Sequence, residues 1–223
     1  MTIKSRVNTE ASNEPKILYH SPAVDVFEDN GIRSLYIDGY CQGRVRVNGT
    51  NYEVVTKAFT AILDHALKLS RKPARALVIG GGAYILPSAL KRVLDCDSVV
   101  FEPNERTLAV AYSHFGLPTE GVITHQMKGE DAPDFLQFDS FDLIILDAFN
   151  GPNPVASLYN TEYVRKLRGL LKPGGTFAVN IISHDPGFCK DFVNDISKIF
   201  DAMTTLNVEP RQFVVLATIL EDQ

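Results

Sequence analysis

Cysteine is scarce in this chain: Cys41, Cys96 and Cys189 stand alone among 223 residues, odd in number and too far apart for a disulfide framework or metal-ligand spacing. The five histidines, His20, His65, His114, His125 and His184, are equally scattered, so no metal site is expected. Positive charge is not in excess either. Lys and Arg number 22 against 27 Asp and Glu, a net charge of −5, which argues against any general affinity for nucleic acid or an anionic membrane. The basic cluster Lys68, Arg71, Lys72, Arg75, broken by Pro73, reads as a solvated helix end. Nowhere do about eighteen apolar residues run together, and the polar residues 1–15 lack the apolar core of a signal peptide. The expectation is a cytoplasmic protein with a flexible tail over residues 1–15. Internal repeats and low-complexity segments are absent from the sequence.

What is present suffices for a full core, with 45% hydrophobic and 22% charged residues. Two patterns follow one another. Residues 16–55 read as β-strands with tight turns: Ile17–Phe27, Arg33–Ile37, Arg44–Val47 and Tyr52–Val55, around Asp29-Asn30-Gly31 and Asn48-Gly49, which supply the positive φ of hairpins. Thr56–Leu69 carries Phe59, Ile62, Leu63, Ala66 and Leu67 at helical spacing. From Arg75 strands and helices alternate, with strands at Ala76–Ile79, Ser98–Phe101, Val122–His125, Leu143–Leu146, Thr176–Ile182, Thr204–Val208 and Phe213–Thr218. The intervening helices are centred on Ala83–Leu94, Glu105–Phe115, Thr161–Leu171 and Gly187–Phe200. Such alternation predicts an α/β, Rossmann-like fold, a seven-stranded mostly parallel sheet whose last strand is antiparallel, beside a small N-terminal β-hairpin segment. The expected division is a lid over 16–55 and a nucleotide-binding domain over 56–223.

Chemistry enters at Leu77-Val78-Ile79-Gly80-Gly81-Gly82-Ala83-Tyr84, an apolar strand breaking into glycines before a helix, where a nucleotide lies against bare backbone. Glu102 ends the next strand twenty residues after Gly82, the spacing of a carboxylate that accepts ribose hydroxyls. The later glycine of a dinucleotide fingerprint is missing and Pro87 stands early in the helix, which disfavours a nicotinamide-dependent oxidoreductase.

Leu77–Gly82, Phe101-Glu102-Pro103, Gly129-Glu130-Asp131-Ala132 with Phe135-Leu136, and Phe141–Asn150 with its Asp147-Ala148-Phe149-Asn150 ending resemble the spermidine synthases and their relatives, within the class I S-adenosylmethionine-dependent transferases. Ile37-Asp38-Gly39-Tyr40-Cys41-Gln42 and Tyr52 are similar to that family's N-terminal segment. The resemblance implies S-adenosylmethionine as cofactor, with Gly80, Gly82 and Ala83 along its sugar and arm, Glu102 on the ribose, Asp131 and Ala132 on the adenine side, and Gln42 on the nucleoside side of the lid. Asp147 would be the catalytic proton acceptor, beside Asn150 and a lid Tyr52. Read without the family, Asp147 is equally a cap or turn residue after its strand. Tyr84, Phe149, Tyr159 and Tyr163 offer an aromatic wall for a sulfonium or, more simply, core packing.

Three departures bear on the substrate. Ala83 stands where the family has Asp for the aminopropyl ammonium, Asn150 replaces a second diamine aspartate, and Gly49-Thr50-Asn51 replaces an acidic pair before the lid tyrosine. A buried ammonium without a carboxylate costs several kcal/mol. The expected function is therefore displacement at the sulfonium of S-adenosylmethionine: transfer of methyl or the 3-amino-3-carboxypropyl arm to an unidentified small-molecule acceptor, or intramolecular cyclisation releasing methylthioadenosine. Genuine polyamine aminopropyl transfer and a non-catalytic cofactor-binding module are the alternatives. A homodimer is left open.

Overall fold

The computed structural model describes residues 14–183 and 185–220; most of the expected tail, and His184, lie outside them. The N-terminal strands β1 (Lys16–His20), β2 (Val24–Asp29), β3 (Ile32–Ile37), β4 (Tyr40–Asn48) and β5 (Asn51–Val54) form one antiparallel sheet in sequence order. Asn30 and Gly31, with φ of 49° and 75°, and Asp38 and Gly39, with 49° and 80°, make the tight turns that a right-twisted hairpin needs. The expected strand Ile17–Phe27 is two strands. It breaks at Ser21-Pro22, where the Ser21 hydroxyl accepts the Val24 N–H at 3.1 Å and proline offers no N–H to a ladder.

Helix α1 (Lys57–Lys68) leads into the second sheet, which begins β6 (Arg75–Ile79), α2 (Ile85–Leu94), β7 (Asp97–Phe101), α3 (Glu105–His114), β8 (Val122–His125). There follow a short α4 (Ala132–Phe135), β9 (Phe141–Leu146) and a two-residue hairpin, β10 (Phe149–Asn150) with β11 (Asn153–Pro154). The chain closes with α5 (Thr161–Leu170), β12 (Leu171–Ile182), α6 (Pro186–Ile196), β13 (Ala202–Glu209) and β14 (Gln212–Thr218). The order is β13-β14-β12-β9-β6-β7-β8, with β14 antiparallel to both neighbours. The reversed strand thus sits one place in from the edge, covered by β13. Strand β12 also starts earlier than Thr176: Lys172–Gly175 bulges within it, with Gly174 at φ 75°.

Central strands are buried on both faces, which is why they read as unbroken apolar runs. Val78, Val100, Leu143, Ile145 and Ala178 pack against α1, α2, α3 and Val24, Val26, Leu35 and Val45 of the N-terminal sheet. Leu77, Ile79, Ile144, Leu146, Phe177 and Val179 face Tyr163, Val164 and Leu167 of α5 and Phe192 and Ile196 of α6. Strands β6 and β9 are parallel neighbours, but the chain runs outward from β6 to β7 and β8 on one side and from β9 to β12 on the other, so the crevice of such a fold opens at their carboxyl ends. No helix among the described residues is long and apolar enough to cross a membrane.

Candidate active site

At the end of β6 the ladder continues past the strand, Gly80 N–H to Phe101 O at 3.0 Å and Asp147 N–H to Ile79 O at 2.9 Å. This draws the β9 end against Gly80, whose φ is 95°. A Cβ there would sit 2.1 Å from the Asp147 carbonyl oxygen, so only glycine fits. Buried Glu102 locks the turn. Its Oε2 accepts the N–H groups of Gly81 at 2.9 Å and Gly82 at 3.1 Å, and its Oε1 that of Asn104 at 2.8 Å. Three backbone donors offset the desolvation of a carboxylate that also lines the crevice.

The register of the next strands sets a row of polar side chains. Val179 lies beside Leu146, which puts Asn180 next to Asp147, and Gln212 stands opposite Ile182, two residues along β14 from the partner of Asn180. Asn180 Nδ2 donates to Asp147 Oδ1 at 2.8 Å and Gln212 Nε2 donates to Asn180 Oδ1 at 3.0 Å. Burial raises the Asp147 carboxyl to about 6, against the lowering effect of the Asn180 bond.

Two cavities meet at Asp147. The first, about 420 Å³, lies under Gly80, Gly81, Gly82, Glu102 and Asn104, with Ile37, Asp38 and Gln42 of the N-terminal sheet as its other wall. The second, about 470 Å³, opens between Tyr40, Gln42, Thr56, Asn180 and Gln212. Phe149, Phe59 and Gly151 belong to both. A wider groove of about 700 Å³ between α6 and β13–β14 holds no carboxylate and lies apart from these groups. We place the chemistry where polar groups converge rather than where the surface is widest.

Of the residues singled out in the sequence, Gln42, Gly80, Gly82, Glu102, Asp147 and Asn150 border the first cavity. Four others do not. Tyr52 points away: its ring packs on Gly116 with the Arg92 guanidinium 5.3 Å above it, behind α2 and α3, so it is no lid over Asp147. Asp131 is exposed outside the wall, because the turn Gly129–Asp131 presents Glu130 instead. Ala132 is buried below, in the cluster with Ile79 and Leu158. Ala83 is buried with Ile85 and Leu86 rather than facing the crevice. Of Tyr84, Phe149, Tyr159 and Tyr163, the aromatic wall considered in the sequence, only Phe149 lines the cavities. Tyr84 is fully buried, while the hydroxyls of Tyr159 and Tyr163 donate to the carbonyls of Asn180 at 2.9 Å and Gly129 at 2.6 Å. Asp38, Glu130, Asn180 and Gln212 escaped the sequence reading. Only Asn180 left a signal, the one amide inside the apolar run Phe177–Ile182.

Comparison with known proteins bears on the fold. The chain is 26% identical over 183 residues to the polyamine aminopropyltransferase of Chromobacterium violaceum, spanning 81% of this chain and 69% of that one. Its structure matches that of a probable spermidine synthase from Corynebacterium glutamicum at a TM-score of 0.78 and 16% identity, over 91% of this chain and 79% of the other. The fold is a Rossmann-like methyltransferase fold with an N-terminal antiparallel sheet, as in the spermidine synthase structure it matches. Human methyltransferase-like protein 13, solved in complex with SAH, matches at 0.63 and 20% identity, over 74% and 81% of the two chains. No family model matches.

Proposed function

We propose that this chain is an S-adenosylmethionine-dependent transferase in which the first cavity takes the cofactor, the second takes the acceptor, and Asp147 between them receives the acceptor's proton. The observation that carries the reading is the shared wall: one carboxyl, raised to about 6, borders both cavities at the fold's switch point. The acceptor's lone pair forms the new bond to carbon, the carbon–sulfur pair leaves with the thioether, and the acceptor's N–H or O–H proton goes to Asp147. Alignment and exclusion of water supply most of the acceleration in such a displacement.

The neighbouring structure that holds SAH, and the aminopropyltransferase name of the sequence relative, support a ligand of this class. We favour S-adenosylmethionine itself over its decarboxylated form, because the amide of Asn150 borders the cavity where an acid would be needed to hold an ammonium. Incubation with S-adenosylmethionine and chromatography of the products tests this. S-adenosylhomocysteine identifies methyl transfer, methylthioadenosine identifies chemistry on the three-carbon arm, and efficient spermidine formation from putrescine and the decarboxylated cofactor overturns the preference. Calorimetric binding of NAD in place of S-adenosylmethionine would overturn the class.

A further inference from the structure

The row Asp147–Asn180–Gln212 crosses three adjacent strands, β9, β12 and β14, and its polarity is fixed by chemistry. An ionised carboxylate only accepts, so Asn180 must turn its amide N–H to Asp147. That leaves the Asn180 Oδ1 needing a donor, which Gln212 Nε2 provides. Asn180 is 4% exposed, so a wrong rotamer would strand both of its side-chain polar groups. The Tyr159 hydroxyl, bonded to the Asn180 carbonyl at 2.9 Å, holds the backbone beneath.

We infer that Asn180, oriented by Gln212, is the positioning residue of the site: it engages Oδ1 of Asp147 and leaves Oδ2 as the oxygen that takes the proton. Among the described residues Oδ2 has no other protein donor. The assignment rests on the role proposed for Asp147, while the row itself is independent of the cofactor's identity. Beside Asp147 the row meets the second cavity in two amides, while the charged groups of that cavity, Arg44, Lys57 and Glu209, belong to other elements. With Asn180 engaged on both sides, the Gln212 side-chain oxygen is the group the row leaves to accept a hydrogen bond from an acceptor molecule in that cavity.

The test is the carboxyl titration of Asp147, read by carbon-13 NMR on the full chain labelled at aspartate and assigned by its disappearance in Asp147→Asn. The other charged groups on the walls are Asp38, Glu102, Lys128 and Glu130 on the cofactor side. On the acceptor side stand Tyr40, Cys41, Arg44 and the Lys57–Glu209 pair, and Tyr159 lies behind. None of them changes between variants, so differences report the row. Asn180→Leu should move the midpoint upward from about 6 by about one unit, a tenfold change, because a bond to the charged form is lost. Gln212→Met, at the mouth of β14, should move it the same way by less, since Asn180 is then free to turn. An unmoved midpoint in Gln212→Met together with an unmoved or unmeasurable Asn180→Leu overturns the inference. Calorimetry of S-adenosylmethionine on the unsubstituted protein judges the transferase reading separately: failure to bind sinks that reading and leaves the titration's answer standing.

Discussion

Asp147 and Glu102 are both carboxylates at strand ends, yet their surroundings set them different tasks. Glu102 is held by the N–H groups of Gly81, Gly82 and Asn104, which makes it an anchor of the turn. Asp147 has one side-chain donor, Asn180, and a raised carboxyl, which suits a group that must give and take a proton. Replacing Asp147 by Asn keeps the shape and removes the basicity. Turnover should fall roughly 10²-fold or more while calorimetric affinity for S-adenosylmethionine stays nearly constant. Full activity would return Asp147 to a structural role. Its titration also predicts a stability signature. The folded value of about 6 lies above the ordinary 3.8, so ionisation opposes folding: the contribution is complete below about pH 4 and lost as pH rises through 6. Thermal melts should therefore show Asp147→Asn gaining on the unsubstituted protein between pH 4 and 7, by an amount on the order of 2–3 kcal/mol in the absence of ligand. Parallel pH curves for the two proteins would contradict the burial argument.

At the scale of the strand and its turn, the glycines divide by what surrounds them. Gly80→Ala drives a Cβ into backbone at 2.1 Å and at a φ of 95°, whereas at Gly82, φ 48°, the nearest atom is the Gln42 Cβ at 3.7 Å. Gly80→Ala should cost several kcal/mol and abolish soluble expression, and Gly82→Ala about 1 kcal/mol, measured by denaturant melts. Equal losses would mean that the two positions are not distinguished by this contact. The glycine run was legible in the sequence because its strand is continuous and apolar, and so was Glu102, fixed by a short β-α-β span. Asp131 and Tyr52 were misplaced for a different reason. A single-turn 3-10 segment has no periodicity to show whether Glu130 or Asp131 faces inward, and a hairpin's register decides which face of the sheet Tyr52 takes. The pairing of Asn180 with Asp147 depends on the register of β12 against β9, and that of Gln212 on a strand inserted out of chain order. No local pattern carries either.

Across the whole molecule the first cavity has walls from both sheets: Ile37, Asp38 and Gln42 on one side, the β6–β7 turns on the other. The inner face of the N-terminal sheet, Val24, Val26, Leu35 and Val45, also shares a continuous core with Ile62 of α1, Ile85 and Leu86 of α2 and Phe115 after α3. Each large aliphatic side chain left uncovered by removing that sheet would forfeit roughly 1.5–3 kcal/mol of burial, against a total stability of about 5–15 kcal/mol for an ordinary domain. A fragment starting at residue 56 should accordingly fail to give a cooperative melt and fail to bind S-adenosylmethionine. In the full chain the same coupling runs the other way, since a ligand clasped between both walls favours the state in which they are joined. At 100 times its dissociation constant, S-adenosylmethionine should add about 2.7 kcal/mol to unfolding, as one transition. Gln42→Ala, which alters only the N-terminal wall, should reduce that ligand-induced gain while leaving the unliganded melt nearly unchanged. A fragment that folds and binds with full affinity would show instead that the N-terminal sheet covers the cavity without contributing to it.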